Sequence, residues 1–151
     1  YYTRWIYTRV EDSPCVFTRH LEPGTLLPLP VAHAEGRVTA RQGTRVAALC
    51  RAGLAPLRYA DAEGKLARRF PDNPNGSQGA VAAVCNARGN VLAMMPHPER
   101  ALDAGSLART IGGDWAARRR AAVDPGTRCL EGGGPGLLLF DGLRRHLVES
   151  A

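Results

Sequence analysis

Val91-Leu92-Ala93-Met94-Met95-Pro96-His97-Pro98-Glu99-Arg100 is an apolar run that stops at a histidine and a glutamate bracketed by prolines. With Asn90 ahead of it, Asn90 to Met95 reads as a strand, and Asn86-Ala87-Arg88-Gly89 before it reads as a turn joining it to a second apolar run, Ala80 to Cys85. Gly89 is placed to supply the positive φ that such a hairpin needs. In extended chain, residues two apart point the same way, so the carboxylate of Glu99 can accept a proton from one imidazole nitrogen of His97. That would fix the tautomer and leave the other nitrogen as a base. Pro96 and Pro98 restrict their own φ and bias the preceding residue away from helix, which predicts a rigid, extended presentation. Strand ends in α/β proteins are where ligand sites gather.

Working outward, Tyr2 to Val10 alternates as a strand does, Glu11-Asp12-Ser13-Pro14 supplies turn chemistry, and a further strand is expected at Cys15 to Thr18. Leu26 to Ala32 is apolar but carries Pro28 and Pro30, which cannot donate to a ladder, so it reads as an edge strand or an extended approach to the loop Ala32 to Arg37. Val46, Leu49 and Cys50 recur at helical spacing between Ala40 and Ala52, and Gly53 stops that helix. Leu54 to Ala60 reads as a strand, Asp61 to Gly64 as its turn, and Pro71 to Ser77 as loop. From Asp103 to Gly136 the periodicity is weak, with a short helix at Trp115 to Val123. Pro135 opens a terminal amphipathic helix expected to bury Leu137, Phe140, Leu143 and Leu147. Mixed strands and helices predict an α/β domain.

The 151 residues suit one domain, and a composition 44% hydrophobic and 23% charged is that of a folded chain. No run approaches the roughly 20 apolar residues of a membrane span, and the start lacks the order of a signal peptide, so no membrane role and a cytoplasmic location are expected. The chain opens without methionine inside strand-like sequence, which leads to the expectation of a missing N-terminal part. Cys15, Cys50, Cys85 and Cys129 form no CxxC pair, and no metal site is expected. A net charge of +6 raises nucleic-acid binding, but the excess sits in Arg118, Arg119, Arg120, Arg144 and Arg145 with no interleaved aromatic platform. No nucleic-acid partner is expected.

A lone His-x-Glu is more often an exposed pair than a catalytic unit; context decides. The chain also carries PVAHAEGR at Pro30 to Arg37, RYAD at Arg58 to Asp61 and NPNGS at Asn73 to Ser77 ahead of MPHPER at Met95 to Arg100. In this order and spacing they resemble the glutaminase component of phosphoribosylformylglycinamidine synthase, a class I glutamine amidotransferase. The resemblance implies an α/β flavodoxin-like class I glutamine amidotransferase fold lacking its N-terminal third, with residues 1–151 as the C-terminal part of one domain. It implies that His97 is the general base and Glu99 its orienting residue, in a Cys-His-Glu triad whose cysteine lies outside this chain. The chain alone would then be inactive. Glutamine would be the substrate, and ammonia would pass to a synthetase subunit or domain that holds the cofactors, ATP and magnesium. The CVFT and LLLFDGL segments favour a separate subunit over a domain of one large synthase.

His33 and Glu35 are candidate pocket or interface residues, or a local hydrogen-bonded pair. Ala34 stands where the family has glycine, and strain there would distort the pocket. Asn73, Asn75 and Ser77 are candidates for substrate contact, although Asx-turn chemistry alone would explain the two asparagines. Arg100 pairs either with a carboxylate in a complex or with a solvent-facing neighbour. The alternative to an enzyme subunit is a non-catalytic relic of the fold that only binds the partner.

Overall fold

The computed structural model describes residues 2–33, 36–123 and 133–149. Among the described residues five strands form one sheet in the order β2-β1-β3-β4-β5: β1 is Tyr2–Val10, β2 Leu26–His33, β3 Leu57–Ala60, β4 Val81–Cys85 and β5 Leu92–Met94. Every pairing among them is antiparallel. Among the described residues three helices accompany them: α1 (Gly43–Arg51), α2 (Gly113–Val123) and α3 (Pro135–Glu149). This is the expected α/β class.

β1 alternates as read: Ile6, Thr8 and Val10 are buried. The buried hydroxyl of Thr8 donates to the Leu27 carbonyl at 3.0 Å, which removes the cost of placing it in the core. β2 is the edge strand that its prolines demand, with Pro30 opposite Trp5 and Pro28 opposite Tyr7. Leu27, Leu29 and Val31 join Ile6, Val10, Leu57, Tyr59 and Leu139 in the main core. α1 ends where Gly53 takes φ +69° and Leu54 N–H returns to the Leu49 carbonyl. The β4–β5 hairpin turns through Gly89 at φ +71°. A Cβ there would also lie 2.1 Å from the Pro14 carbonyl oxygen, so glycine is required twice over.

Three expectations need correction. Cys15 to Thr18 is not a strand but a turn, in which the Cys15 carbonyl accepts from both Thr18 and Arg19 N–H. Pro98–Arg100 is a 3₁₀ turn rather than extended chain, because proline at the first position of a helical turn has no donor to lose. The third concerns the buried side of α3. Leu137, Phe140 and Leu147 are exposed, Leu143 is half-buried, and Pro135, Gly136, Leu139 and Gly142 face inward. The helix comes in on its glycines: a Cβ on Gly136 would lie 1.9 Å from the Pro98 carbonyl oxygen, and one on Gly142 would lie 2.6 Å from the His20 ring. Contact through backbone, not leucine bulk, sets its rotation.

Candidate active site

The sheet is strongly curled, and the curl builds the site. Met95 N–H still bonds the Ala82 carbonyl beside β4, yet two residues later His97 N–H bonds Pro30 of β2 at 2.8 Å. Two extended residues reach only about 7 Å, so the turn after β5 staples the two sides of the sheet together. Below it, Arg100 N–H bonds His97 and Ala101 N–H bonds Pro98 to complete the 3₁₀ turn. α3 then holds that turn through the Gly136 N–H to the Ala101 carbonyl at 2.8 Å. Helix, edge strand and hairpin all fix one short segment.

On this segment His97 Nδ1 and Glu99 Oε1 lie 2.8 Å apart, so the two residues meet across the turn rather than along a strand. With Nδ1–H donating to the carboxylate, Nε2 has no hydrogen-bond partner among the described residues. Both side chains are accessible, at 32% for His97 and 54% for Glu99. Arg100 Nε stands 3.7 Å from the same Glu99 oxygen, so Arg100 has a solvent-facing neighbour as its partner. The geometry can hold one imidazole tautomer and offer its second nitrogen for proton transfer.

His33 ends β2 and is buried, with its ring centroid 5.9 Å from that of Tyr2. Its Nε2 is buried without a hydrogen-bond partner. Glu35 and Ala34 lie outside the described residues. The Asn73 to Ser77 loop, by contrast, spends its polar atoms on itself and on neighbouring chain. Asn73 Nδ2 donates to the Ser77 and Ala67 carbonyls, its Oδ1 accepts from Ser77 N–H, and Ser77 Oγ donates to Asn75 Oδ1 at 2.7 Å. Asn75 Nδ2 donates to the Gly36 carbonyl and the Tyr59 hydroxyl, while Ser77 Oγ accepts from Val38 N–H. None of these bonds reaches His97 or Glu99. The loop braces the chain after β2.

The three described cysteines lie elsewhere. Cys85 pairs with Leu92 next to the hairpin turn, at the end of β5 away from His97, and is held 3.6 Å from Ser13 Oγ. Cys15 is fully buried near it, and burial pushes its thiol pKa up. Cys50 sits on α1 beside Gly79, and Cys129 lies outside the described residues. Among the described residues no three His, Cys, Asp or Glu gather as a metal ion would require, and no helix is long and apolar enough to cross a membrane. Of the arginines that supply the charge, Arg144 and Arg145 are paired with Asp141 at 2.7 and 2.8 Å, and Arg118 stacks over Trp115 at 4.7 Å. Sequence reading missed that aromatic partner because it lies one turn away on the same helix.

Residues 1–128 match the family described as the CobB/CobQ-like glutamine amidotransferase domain. The chain is similar to the phosphoribosylformylglycinamidine synthase subunit PurQ of Thermomicrobium roseum, 45% identical over 119 residues, covering 79% of this chain and 47% of that protein. It is 34% identical over 151 residues to the same-named subunit of Methanothrix thermoacetophila, covering 99% of this chain and 52% of that one. It is also 44% identical over 102 residues to human phosphoribosylformylglycinamidine synthase, covering 68% of this chain and 8% of the human one. The chain thus spans about half the length of the PurQ relatives it matches. Among solved structures it resembles PurLQS from Thermotoga maritima, at a TM-score of 0.56 and 25% identity, covering 97% of this chain and 48% of that one.

Proposed function

Because the chain belongs to the CobB/CobQ-like glutamine amidotransferase domain family and has the α/β fold of class I glutamine amidotransferases, we propose that it supplies the proton-transfer half of a glutaminase site in phosphoribosylformylglycinamidine synthase. The observation that carries this is the 2.8 Å contact between His97 Nδ1 and Glu99 Oε1, which leaves Nε2 open beyond a strand exit. His97 is assigned as the general acid and base, and Glu99 as the group that orients it and stabilises its imidazolium. The nucleophile is a cysteine thiolate supplied from outside residues 1–151; the described cysteines all pack against other parts of the sheet.

The reaction then runs in two steps. The thiolate attacks the side-chain amide carbon of glutamine, and the C–N bond breaks as protonated His97 gives its proton to the departing nitrogen, releasing ammonia and leaving a thioester. His97, now neutral, takes a proton from water as the water oxygen attacks the thioester. The C–S bond breaks, returning the thiolate and yielding glutamate. Ammonia passes to an ATP- and magnesium-holding synthetase partner for purine biosynthesis, in the cytoplasm. His33, at the exit of β2, is assigned to the mouth of the site; Glu35, outside the described residues, is assigned to substrate or interface contact from the resemblance alone; Asn73, Asn75 and Ser77 are assigned to bracing that mouth.

The test uses the full-length protein containing this chain, assayed with glutamine and its synthetase. His97→Ala is expected to lower kcat/KM for glutamine by about 10²–10⁴-fold, the usual worth of a positioned acid–base group. Glu99→Gln, which keeps the shape and removes the charge, should cost less. Wild-type-like activity in His97→Ala would overturn the assignment. A wild-type protein that binds the synthetase yet never hydrolyses glutamine would instead support the partner-binding relic.

A further inference from the structure

A cleft of about 1210 Å³ opens beside the Asn73 to Ser77 loop, and its charges are unevenly committed. Arg9 and Arg58 line it, but both are paired with Glu11, at 2.8 and 3.7 Å. They also donate to the Gly64 and Gly79 carbonyls. Asp61 lines it too, but its carboxylate caps the turn by accepting from the N–H of Glu63 and Lys65. Lys65, Arg68 and Arg69 are different: all three are exposed on the same cleft, and none has a carboxylate partner among the described residues. Next to them Phe70 leaves 64% of its surface in water.

That aromatic ring is not loose. It meets Tyr2 edge-on at 5.5 Å, and Tyr2 in turn meets His33 at 5.9 Å. A held, exposed aromatic flanked by unpaired arginines has the composition of an interface centre, where aromatic residues and arginine are enriched and carry most of the binding energy. A free phosphate would satisfy the cations but leave Phe70 uncovered. A nucleic-acid backbone would meet Asp61 and Asp72, which line the same cleft. A protein surface with carboxylates around an apolar pocket fits both features.

We infer that Lys65, Arg68, Arg69 and Phe70 form the docking surface for an acidic, apolar-centred face of the ATP-using partner that takes up the ammonia, an assignment that rests on the glutaminase reading above. Docking there would press on the Phe70–Tyr2–His33 series of rings. That series ends on β2, the strand whose Pro30 carbonyl holds His97. The catalytic turn and the docking surface therefore share one strand.

The experiment measures the affinity of the full-length protein for its purified synthetase across a salt series. Arg68→Glu with Arg69→Glu is expected to raise Kd by roughly tenfold or more at low salt, with the gap closing as salt rises. Phe70→Ala should raise it by about tenfold at every salt concentration. Arg68→Lys with Arg69→Lys should keep most of the affinity, which excludes misfolding of the loop as the cause. Unchanged Kd in both the double reversal and Phe70→Ala overturns the inference, as does salt-dependent binding of random duplex DNA lost in the double reversal while synthetase binding persists. His97→Ala separates the two readings, since it should bind normally while kcat/KM for glutamine falls by about 10²–10⁴-fold. If the docking variants bind like wild type while His97→Ala shows its expected loss of turnover, only the docking assignment fails.

Discussion

Asn73 shows how a residue can look like a ligand contact and be a brace. It is 2% exposed, and its amide closes the loop by donating to two carbonyls and accepting one N–H. Asn73→Ala would leave those backbone groups buried without partners, which costs about 1–3 kcal/mol. Denaturant titration should show that loss, while glutamine turnover per folded molecule stays near wild type. The His97–Glu99 pair was legible in sequence because its whole geometry lies within three residues. The sequence left the role of Asn73, Asn75 and Ser77 open because turn chemistry and ligand chemistry use the same side chains. His33 was legible as a strand-exit histidine, but its ring contact with Tyr2, 31 positions away, was not.

At the scale of elements, α3 matters most to the site. Its existence was readable from its periodicity, but its rotation was not, because two glycines let the helix approach backbone that sequence cannot place. Gly136→Ala would put a methyl group into the Pro98 carbonyl, and neither backbone can give way cheaply. The variant should lose about 1–3 kcal/mol. Unlike Asn73→Ala, it should also lower turnover, because Pro98 lies between His97 and Glu99; stability and activity measured on both variants check the contrast. The same helix covers His20, whose pKa is lowered first by burial and then by the charge of Arg145, with Asp141 opposing. The folded state then binds fewer protons than the unfolded state below the ordinary value of 6.5. Stability from this group is full above that value and falls as pH drops through it. Denaturation midpoints between about pH 7.5 and about pH 5.5 should decline in wild type and decline less in His20→Gln.

For the molecule as a whole, the hairpin of β4 and β5 was legible because its pairing is local. The placing of β1 between β2 and β3 was not, since Val10 pairs with Leu57 and no short-range signal reports it. The burial that this sheet creates predicts an order of thiol reactivity. Cys15 is fully buried with its pKa raised, Cys85 is buried and Cys50 is half-exposed. Of these three, a thiol reagent followed by peptide mass mapping should label Cys50 first and Cys15 only on unfolding, and early labelling of Cys15 would contradict the packing. The proline-bearing strand has one more effect. The Pro30 carbonyl points away from β1 to meet His97, so the position where its N–H would be points outward too, and Pro28 shares that direction. An outer rim lacking donors at alternate positions cannot template a second copy of the chain. The feature that frees a carbonyl to anchor the histidine thus also guards that flank against fibre growth at the high concentrations of a crowded cell.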